Sequence, residues 1–290
     1  YCPIANVYID AWKPVDKVII SHGHADHSKY GHKFYLTHPN NVPIVKHRLG
    51  NVNIESKKWG EKFLINGVQF SLHPAGHVIG SSQVRVEYKG DVWVYSGDYK
   101  REDDGISTPF EPLKCNTFIT ECTFGLPAFN WKKQDVVMNN INDFWKECKS
   151  NGQTAVVFAY SLGKAQRLIA NLDLEIGDIL THGAVENLNE VIRTFKNLPK
   201  THRITRATKK EDFIGNLVIA PPSTHGSSWI KKMVPYVTSS ASGWMTFRGA
   251  RRRRAIDRGF VLSDHVDWKD LLRTIKDTEA KNIVCTHGYK

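Results

Sequence analysis

His22, His24, Asp26 and His27 fall within six positions, in the stretch SHGHADH that directly follows the β-branched run Val18–Ile20. Three imidazoles and a carboxylate cannot join a hydrophobic core unpaired without a large desolvation cost. The chemistry they share is metal ligation: imidazole and carboxylate suit zinc, and the lack of a nearby cysteine argues against a purely structural thiolate site. In an extended segment alternate side chains share a face, so His22, His24 and Asp26 can point the same way, whereas His27 joins them only if the chain turns there. Gly23 and Ala25 are small enough to let the backbone approach an ion.

A metal takes three or four protein ligands, and two metals need more than this run supplies. Further donors stand at His77 in HPAGHVIGSSQ, Asp98 in VYSGDYK, His265 in VLSDHVDW and His287 in IVCTHGY. Each follows an apolar, strand-like run. One arrangement therefore repeats, a strand with a ligand at its exit.

The elements that carry these donors change character along the chain. Residues 1–124 read as short strands broken by Gly, Pro and Asn, mainly antiparallel, with NVYID ending in Asp10 and YKGD forming a hairpin turn between QVRVEY and DVWVYSGD. After Thr123 strands and helices alternate: a helix from Gln134 to Lys149, the strand TAVVFAY, the helical spacing of LGKAQRLIANL, GDILTHG, a helix from Val185 to Phe195, then NLVIAP and YVTSSASGW. That texture predicts a small parallel-sheet α/β unit. GFVLSDH, a helix from Trp268 to Lys276 and KNIVCTHG close the chain. Because residues 125–260 lie between ligands yet supply none, they read as an inserted domain within a first domain made of 1–124 and 261–290. His182, His202 and His225 each stand alone in that block and read as structural or substrate-facing.

The chain has 290 residues, 41% of them apolar, enough for a sizeable core. Forty Lys and Arg against 29 Asp and Glu give a net charge of +11, which favours a polyanionic partner such as nucleic acid. The densest run is RGARRRRAIDR, residues 248–258. Five scattered cysteines without a Cys-x-x-Cys pair fit neither a disulfide framework nor a zinc knuckle, and suggest a reducing, cytoplasmic setting. No apolar run approaches the roughly 20 residues of a membrane helix. The chain opens on Tyr rather than Met and reads as trimmed at its start.

SHGHADH resembles the H-x-H-x-D-H signature of the metallo-β-lactamase fold, and AGHVIGS, SGDYKR, ITECTFG, LSDH and VCTHG resemble the later motifs of its β-CASP nuclease branch. That branch includes the cleavage-and-polyadenylation endonuclease, RNase J and Artemis-type DNA nucleases. PFEPLKCNTFITECTFGLP, YSLGKAQRL, ILTHGAVE and RGARRRRAIDRGFVLSDHVDW are most similar to the bacterial ligase-associated DNA exonucleases. The resemblance runs from Asp10 to His287. It implies an αββα sandwich with an inserted β-CASP α/β cap, and two zinc ions, with manganese as a substitute. It further implies that His22, His24 and His77 hold one ion, that Asp26, His27 and His287 hold the other, and that Asp98 bridges them. Asp10 would steady the ligand loop by hydrogen bonds. Glu121 would orient His265.

Two divalent ions bridged by a carboxylate can hold a shared water as hydroxide and grip a phosphate oxygen. His265, kept protonated by Glu121, is the candidate acid for the departing sugar oxygen. In the inserted block, Ser161 and Lys164 of SLGKAQ could present a helix N-terminus and a cation to a phosphate. Ser242, Trp244, Arg248 and Arg251 could hold a strand by stacking and charge. These readings favour a DNA exonuclease in repair or end processing, with DNA ends or single strands as substrate and a functional link to a DNA ligase. Three alternatives stand beside it: an RNA-processing ribonuclease, for which His287 is the typical third-motif residue, a small-molecule metallo-hydrolase, and a non-catalytic nucleic-acid-binding subunit.

Overall fold

The computed structural model describes residues 1–253 and 255–288. The chain forms two compact units, Tyr1–Asn130 together with Asp264–Lys290, and Trp131–Ser263. These divide a few residues beyond the changes of texture in the sequence. Phe129 is buried against Phe124 and its carbonyl accepts the Trp268 N–H, which keeps the segment before Asn130 with the first unit. Arg167 donates to the Ser263 carbonyl at 2.6 Å, which keeps that residue with the second.

In the first unit β1 (Tyr8–Ile9), β2 (Lys17–Ile19), β3 (Phe34–Thr37) and β4 (Ile54–Ser56) form a wholly parallel sheet in that order. The sequence reading of mainly antiparallel strands is corrected here. Parallel neighbours need crossovers, and the connections supply them: β2 reaches β3 through the ligand loop, and β3 reaches β4 through helix α1 (Val42–Leu49). The second sheet holds β5 (Phe63–Ile65), β6 (Val68–Pro74), β7 (Ser82–Tyr88) and β8 (Asp91–Tyr95) as an antiparallel meander, with β9 (Thr117–Glu121) parallel to β8. Lys89 and Gly90 turn between β7 and β8, both at positive φ (51° and 84°). A two-residue hairpin loop of that kind matches the twist of the strands it joins.

The second unit opens with α2 (Gln134–Ser150), whose buried Val137, Met138, Ile141, Phe144, Trp145 and Cys148 recur at helical spacing. Then follow β10 (Thr154–Phe158), α3 (Lys164–Asn171), β11 (Ile179–Thr181), α4 (Gly183–Arg193), β12 (His202–Arg203), β13 (Leu217–Ala220), β14 (Tyr236–Ala241), α5 (Arg248–Arg253) and β15 (Arg258–Phe260). All six strands are parallel, in the order β12-β11-β13-β10-β14-β15. β13 is apolar throughout and β10 apolar but for Thr154, as a sheet covered on both faces requires.

The chain re-enters the first unit with α6 (Trp268–Asp277) and β16 (Asn282–Thr286), which pairs parallel to β9 and completes a six-stranded sheet. Period-two alternation then sorts the first unit into layers. Val18, Ile20 and Tyr35 pack on Val45 of α1. Ile19 and Leu36 meet Val68, Phe70, Leu72 and Val84 between the sheets. On the outer face of the second sheet, Tyr99 and Phe118 lie in the clusters that contain Leu271 and Ile275 of α6. The result is an αββα sandwich, in which each fully buried large apolar side chain contributes about 1.5–3 kcal/mol. Among the described residues no helix is long and apolar enough to cross a membrane.

Candidate metal centre

The strands of the first unit deliver their exits to one place. His22 follows β2, His77 follows β6, Asp98 follows β8, Glu121 ends β9 and His287 follows β16. Two glycines make the approach possible. At Gly76 (φ +72°) a Cβ would lie 2.2 Å from the Lys100 carbonyl oxygen, and at Gly97 (φ +56°) 2.9 Å from the Ser21 Cβ. Only glycine tolerates both the backbone conformation and the contact.

After His24 the chain turns, with the N–H groups of His27 and Ser28 donating to the His24 carbonyl at 3.2 and 2.9 Å. That turn leaves Asp26 exposed on the rim and carries His27 into the interior. Arg48 of α1 clamps the loop, donating to the Gly23 carbonyl at 2.8 Å and to the Ser28 hydroxyl.

Ring nitrogens of three histidines converge. His22 Nε2 and His77 Nε2 lie 3.0 and 3.1 Å from His24 Nδ1, and Asp98 Oδ2 lies 3.5 and 3.7 Å from His22 Nε2 and His77 Nε2. All four donor atoms sit within 4.8 Å of one another. Those separations bracket the edge of about 3.3 Å that four ligands about 2.0–2.1 Å from a tetrahedral zinc would show. Burial and neighbouring imidazoles hold the pKa of His22 well below the ordinary histidine value; burial, then the nearby His265, does the same for His77. For Asp98 burial opposes the charge, but His265, His27 and His22 outweigh it and keep the carboxyl well below its usual range. Neutral imidazoles beside an ionised carboxylate are the protonation states a cation needs. The set fits a divalent metal. His77 is further fixed by its Nδ1, which donates to the Asp264 carbonyl at 2.7 Å and so presents Nε2 to the cluster.

Asp10, at φ 48°, is the hub beneath the loop. Its Oδ1 accepts the Ser21 N–H at 2.7 Å, and its Oδ2 accepts the Ser21 hydroxyl (2.6 Å), His27 Nδ1 (2.7 Å) and the Tyr95 hydroxyl (3.1 Å). Burial disfavours charge on His27, yet Asp10, with Asp98 behind it, raises its pKa to about 11. His27 Nε2 is buried and makes no hydrogen bond, with Asp98 Oδ2 at 3.4 Å and Asp26 Oδ2 at 3.8 Å. A second cation could sit at this ring nitrogen between two carboxylates by displacing its proton, while Nδ1–H stays on Asp10. The His287 ring centroid lies 5.2 Å from that of His27, so the exposed His287 borders this pair without closing onto it.

His265 Nδ1 lies 2.9 Å from both oxygens of the buried Glu121, whose Oε1 also accepts the Tyr99 N–H at 2.9 Å. Glu121 thus engages Nδ1, and Nε2 is the ring nitrogen on the side away from that carboxylate. Asp98, Glu121 and His265 also form a group within 4.8 Å.

The residues expected to bind substrate lie in the second unit and do not behave alike. Lys164 is buried at 4% exposure, its ammonium 5.1 Å from the Tyr160 ring centroid, and Gln166 caps the Gly163 N–H at 2.7 Å. The expected phosphate site at the α3 N-terminus is therefore self-capped, with half-buried Ser161 giving its carbonyl to Gln166. Ser242 and Trp244 share the wall of a cavity, and Arg248 is exposed at the start of α5. The Arg251 side chain lies outside the described residues. Sequence reasoning missed Ser21, Tyr95 and Arg48; only Ser21, adjacent to His22, carried a local signal.

Residues 10–137 match the family model of the metallo-beta-lactamase superfamily. The whole chain aligns at 29% identity with a protein described as "Probable DNA ligase" from Opitutus terrae, covering 28% of its length. "Endoribonuclease ysh1" of Schizosaccharomyces pombe is 27% identical over 55% of this chain and 25% of its own. The chain thus spans about a quarter of the length of these relatives. In structure it resembles a protein of unknown function from Enterococcus faecalis V583, with a TM-score of 0.65 at 12% identity over 93% of this chain and 75% of that one. Sandwich, motif match and relatives agree with the resemblance to the metallo-beta-lactamase superfamily and its β-CASP-type nuclease branch.

Proposed function

We propose that the chain is a two-metal phosphodiesterase that acts as an exonuclease on DNA in repair or end processing. The observation that carries this reading is a three-imidazole, one-carboxylate donor set beside a histidine held by a buried glutamate. His22, His24 and His77 would hold one zinc ion and Asp26, His27 and His287 the other, with Asp98 between them and manganese as a substitute. When bound, such ions supply Lewis-acid charge to a phosphate and lower the pKa of water.

The chain's own groups do the rest. Asp10 and Arg48 fix the ligand loop, Glu121 accepts the Nδ1 proton of His265, and His265 Nε2 delivers its proton to the departing sugar oxygen as that oxygen leaves phosphorus. A water oxygen forms the new bond to phosphorus as the bond from phosphorus to the sugar oxygen breaks, and the proton that the water gives up passes to solvent. The second unit acts as the substrate-binding β-CASP domain, and the net charge of +11 draws the polyanion.

The relative named for a DNA ligase supports DNA ends as substrate and a functional association with a ligase. A ribonuclease reading is favoured by the relative named as an endoribonuclease and by His287. The deciding experiment incubates end-labelled single- and double-stranded DNA and RNA with protein and zinc or manganese, with a chelator control. Stepwise shortening of DNA, abolished by chelator, is expected. Cleavage of RNA alone selects the ribonuclease, and no cleavage of any strand, with hydrolysis of nitrocefin or a thioester instead, overturns the nuclease reading.

A further inference from the structure

The second unit contains a cavity of about 640 Å³ at the carboxyl ends of its parallel strands. From β10 the chain leaves toward β11 on one side of the sheet, and from β14 toward β15 on the other. Diverging exits of this kind open a crevice where ligands of α/β sheets bind. The wall carries Tyr160, His225, Ser240, Ser242, Trp244 and Arg253, and no aspartate or glutamate among the described residues.

The chemistry of that wall is selective. A lining with an arginine and no carboxylate favours an anion, and the rings of Tyr160 and Trp244 favour a flat, π-bearing group. Tyr160 is 60% exposed, although Lys164 packs over its ring. His225 is steadied edge-on against Phe158, with ring centroids 5.1 Å apart. Ser242 accepts the Trp244 N–H at 3.3 Å, which anchors the backbone behind the indole. Ser240 is only 2% exposed and lines the cavity.

We propose that this cavity binds one nucleotide, with its base against Tyr160 and Trp244, its phosphate at Arg253 and a polar edge at Ser240. The volume lies within the range of small-ligand pockets. The site deepens the nucleic-acid reading given above and rests on it: the nucleotide belongs to a bound strand and is held by residues of the second unit, none of which is a metal-centre residue.

The test measures binding, not turnover. Affinities of fluorescent decathymidylate and of thymidine 5′-monophosphate are measured in chelator for wild type, Trp244→Ala, Trp244→Phe, Ser240→Ala and Arg253→Gln, with thermal unfolding as a folding control. We expect Trp244→Ala to weaken decathymidylate binding about tenfold, in keeping with the loss of one stacked base, and Trp244→Phe to restore most of it. Arg253→Gln should lower the slope of log affinity against log salt by about one, as loss of a phosphate contact requires. Tighter binding of the decamer than of the monophosphate supports the strand. Equal binding of both, with the same loss in Trp244→Ala, keeps the nucleotide site but overturns its assignment to a strand. Unchanged affinity for both ligands in folded Trp244→Ala and Arg253→Gln overturns the proposal. Hydrolysis of bis(p-nitrophenyl) phosphate by the wild-type protein with zinc reads the metal centre separately, so the two readings fail independently.

Discussion

Asp10→Asn is the most informative single substitution beneath the metal centre. The carboxylate takes four donors, one on Oδ1 and three on Oδ2, all from buried or half-buried groups. An amide cannot do so in either orientation. Placed on the Oδ2 side, its NH₂ meets the Ser21 hydroxyl, His27 Nδ1 and the Tyr95 hydroxyl; placed on the Oδ1 side, it meets the Ser21 N–H at 2.7 Å. Hydrogen bonds to a charged group contribute about 1.5–3 kcal/mol each, and an orphaned buried donor costs about 1–3 kcal/mol. After relaxation the expected loss is about 3 kcal/mol of stability in chelator. Because His27 takes its orientation from Asp10, metal affinity should also fall about 10–100-fold, the usual effect of removing a group that orients a ligand. Urea unfolding in chelator reads the first quantity and competition with a chromophoric chelator the second. Tyr95→Phe, which removes one donor of the four, should cost about 1 kcal/mol and leave the metal affinity near wild type. If Asp10→Asn kept both the urea midpoint and the metal affinity of the wild type, the hub role of Asp10 would be refuted.

The remaining predictions concern the loop, the acid and the ligands. Asp98→Ala or His22→Ala should abolish cleavage of labelled DNA while circular dichroism stays native; full activity in either protein would sink the two-metal reading. Glu121→Gln places an NH₂ against His265 Nδ1, so turnover should fall about 10²-fold, the lower range of general-acid contributions, with zinc content by mass spectrometry unchanged. Gly76→Ala drives a Cβ to 2.2 Å from the Lys100 carbonyl at φ +72° and should lower the unfolding temperature and the metal content together. Arg48→Ala frees the Gly23 carbonyl and the Ser28 hydroxyl, and should weaken metal binding measurably at unchanged thermal stability in metal-free buffer.

What could be read from the sequence was what local rules encode. The YKGD turn needed two residues at positive φ, and the helices read at 134–149 and 268–276 match α2 and α6 to within a residue. The run of donors in SHGHADH was visible because no core could absorb it. Long-range geometry was not visible. The parallel pairing of β1 to β4 depends on crossovers whose strand lengths look antiparallel, and Tyr95 and Arg48 are ordinary residue types until the fold brings them to Asp10 and Gly23. Lys164 looked like an exposed cation after a glycine, but α3 turns that position inward and buries it at 4% exposure.

The Asp264 carbonyl that orients His77 comes from a residue 187 positions later in the chain. Contacts of such sequence separation form late, because a long loop must close before they repay its entropy. A nascent chain emerging from the ribosome therefore displays His22, His24, His77 and Asp98 well before the group that aims His77 exists. Synthesis must pass through all of the inserted unit first. The donors His22 to Asp98 are made before the group that aims His77, so a product truncated before Asp264 carries ligands without that orientation.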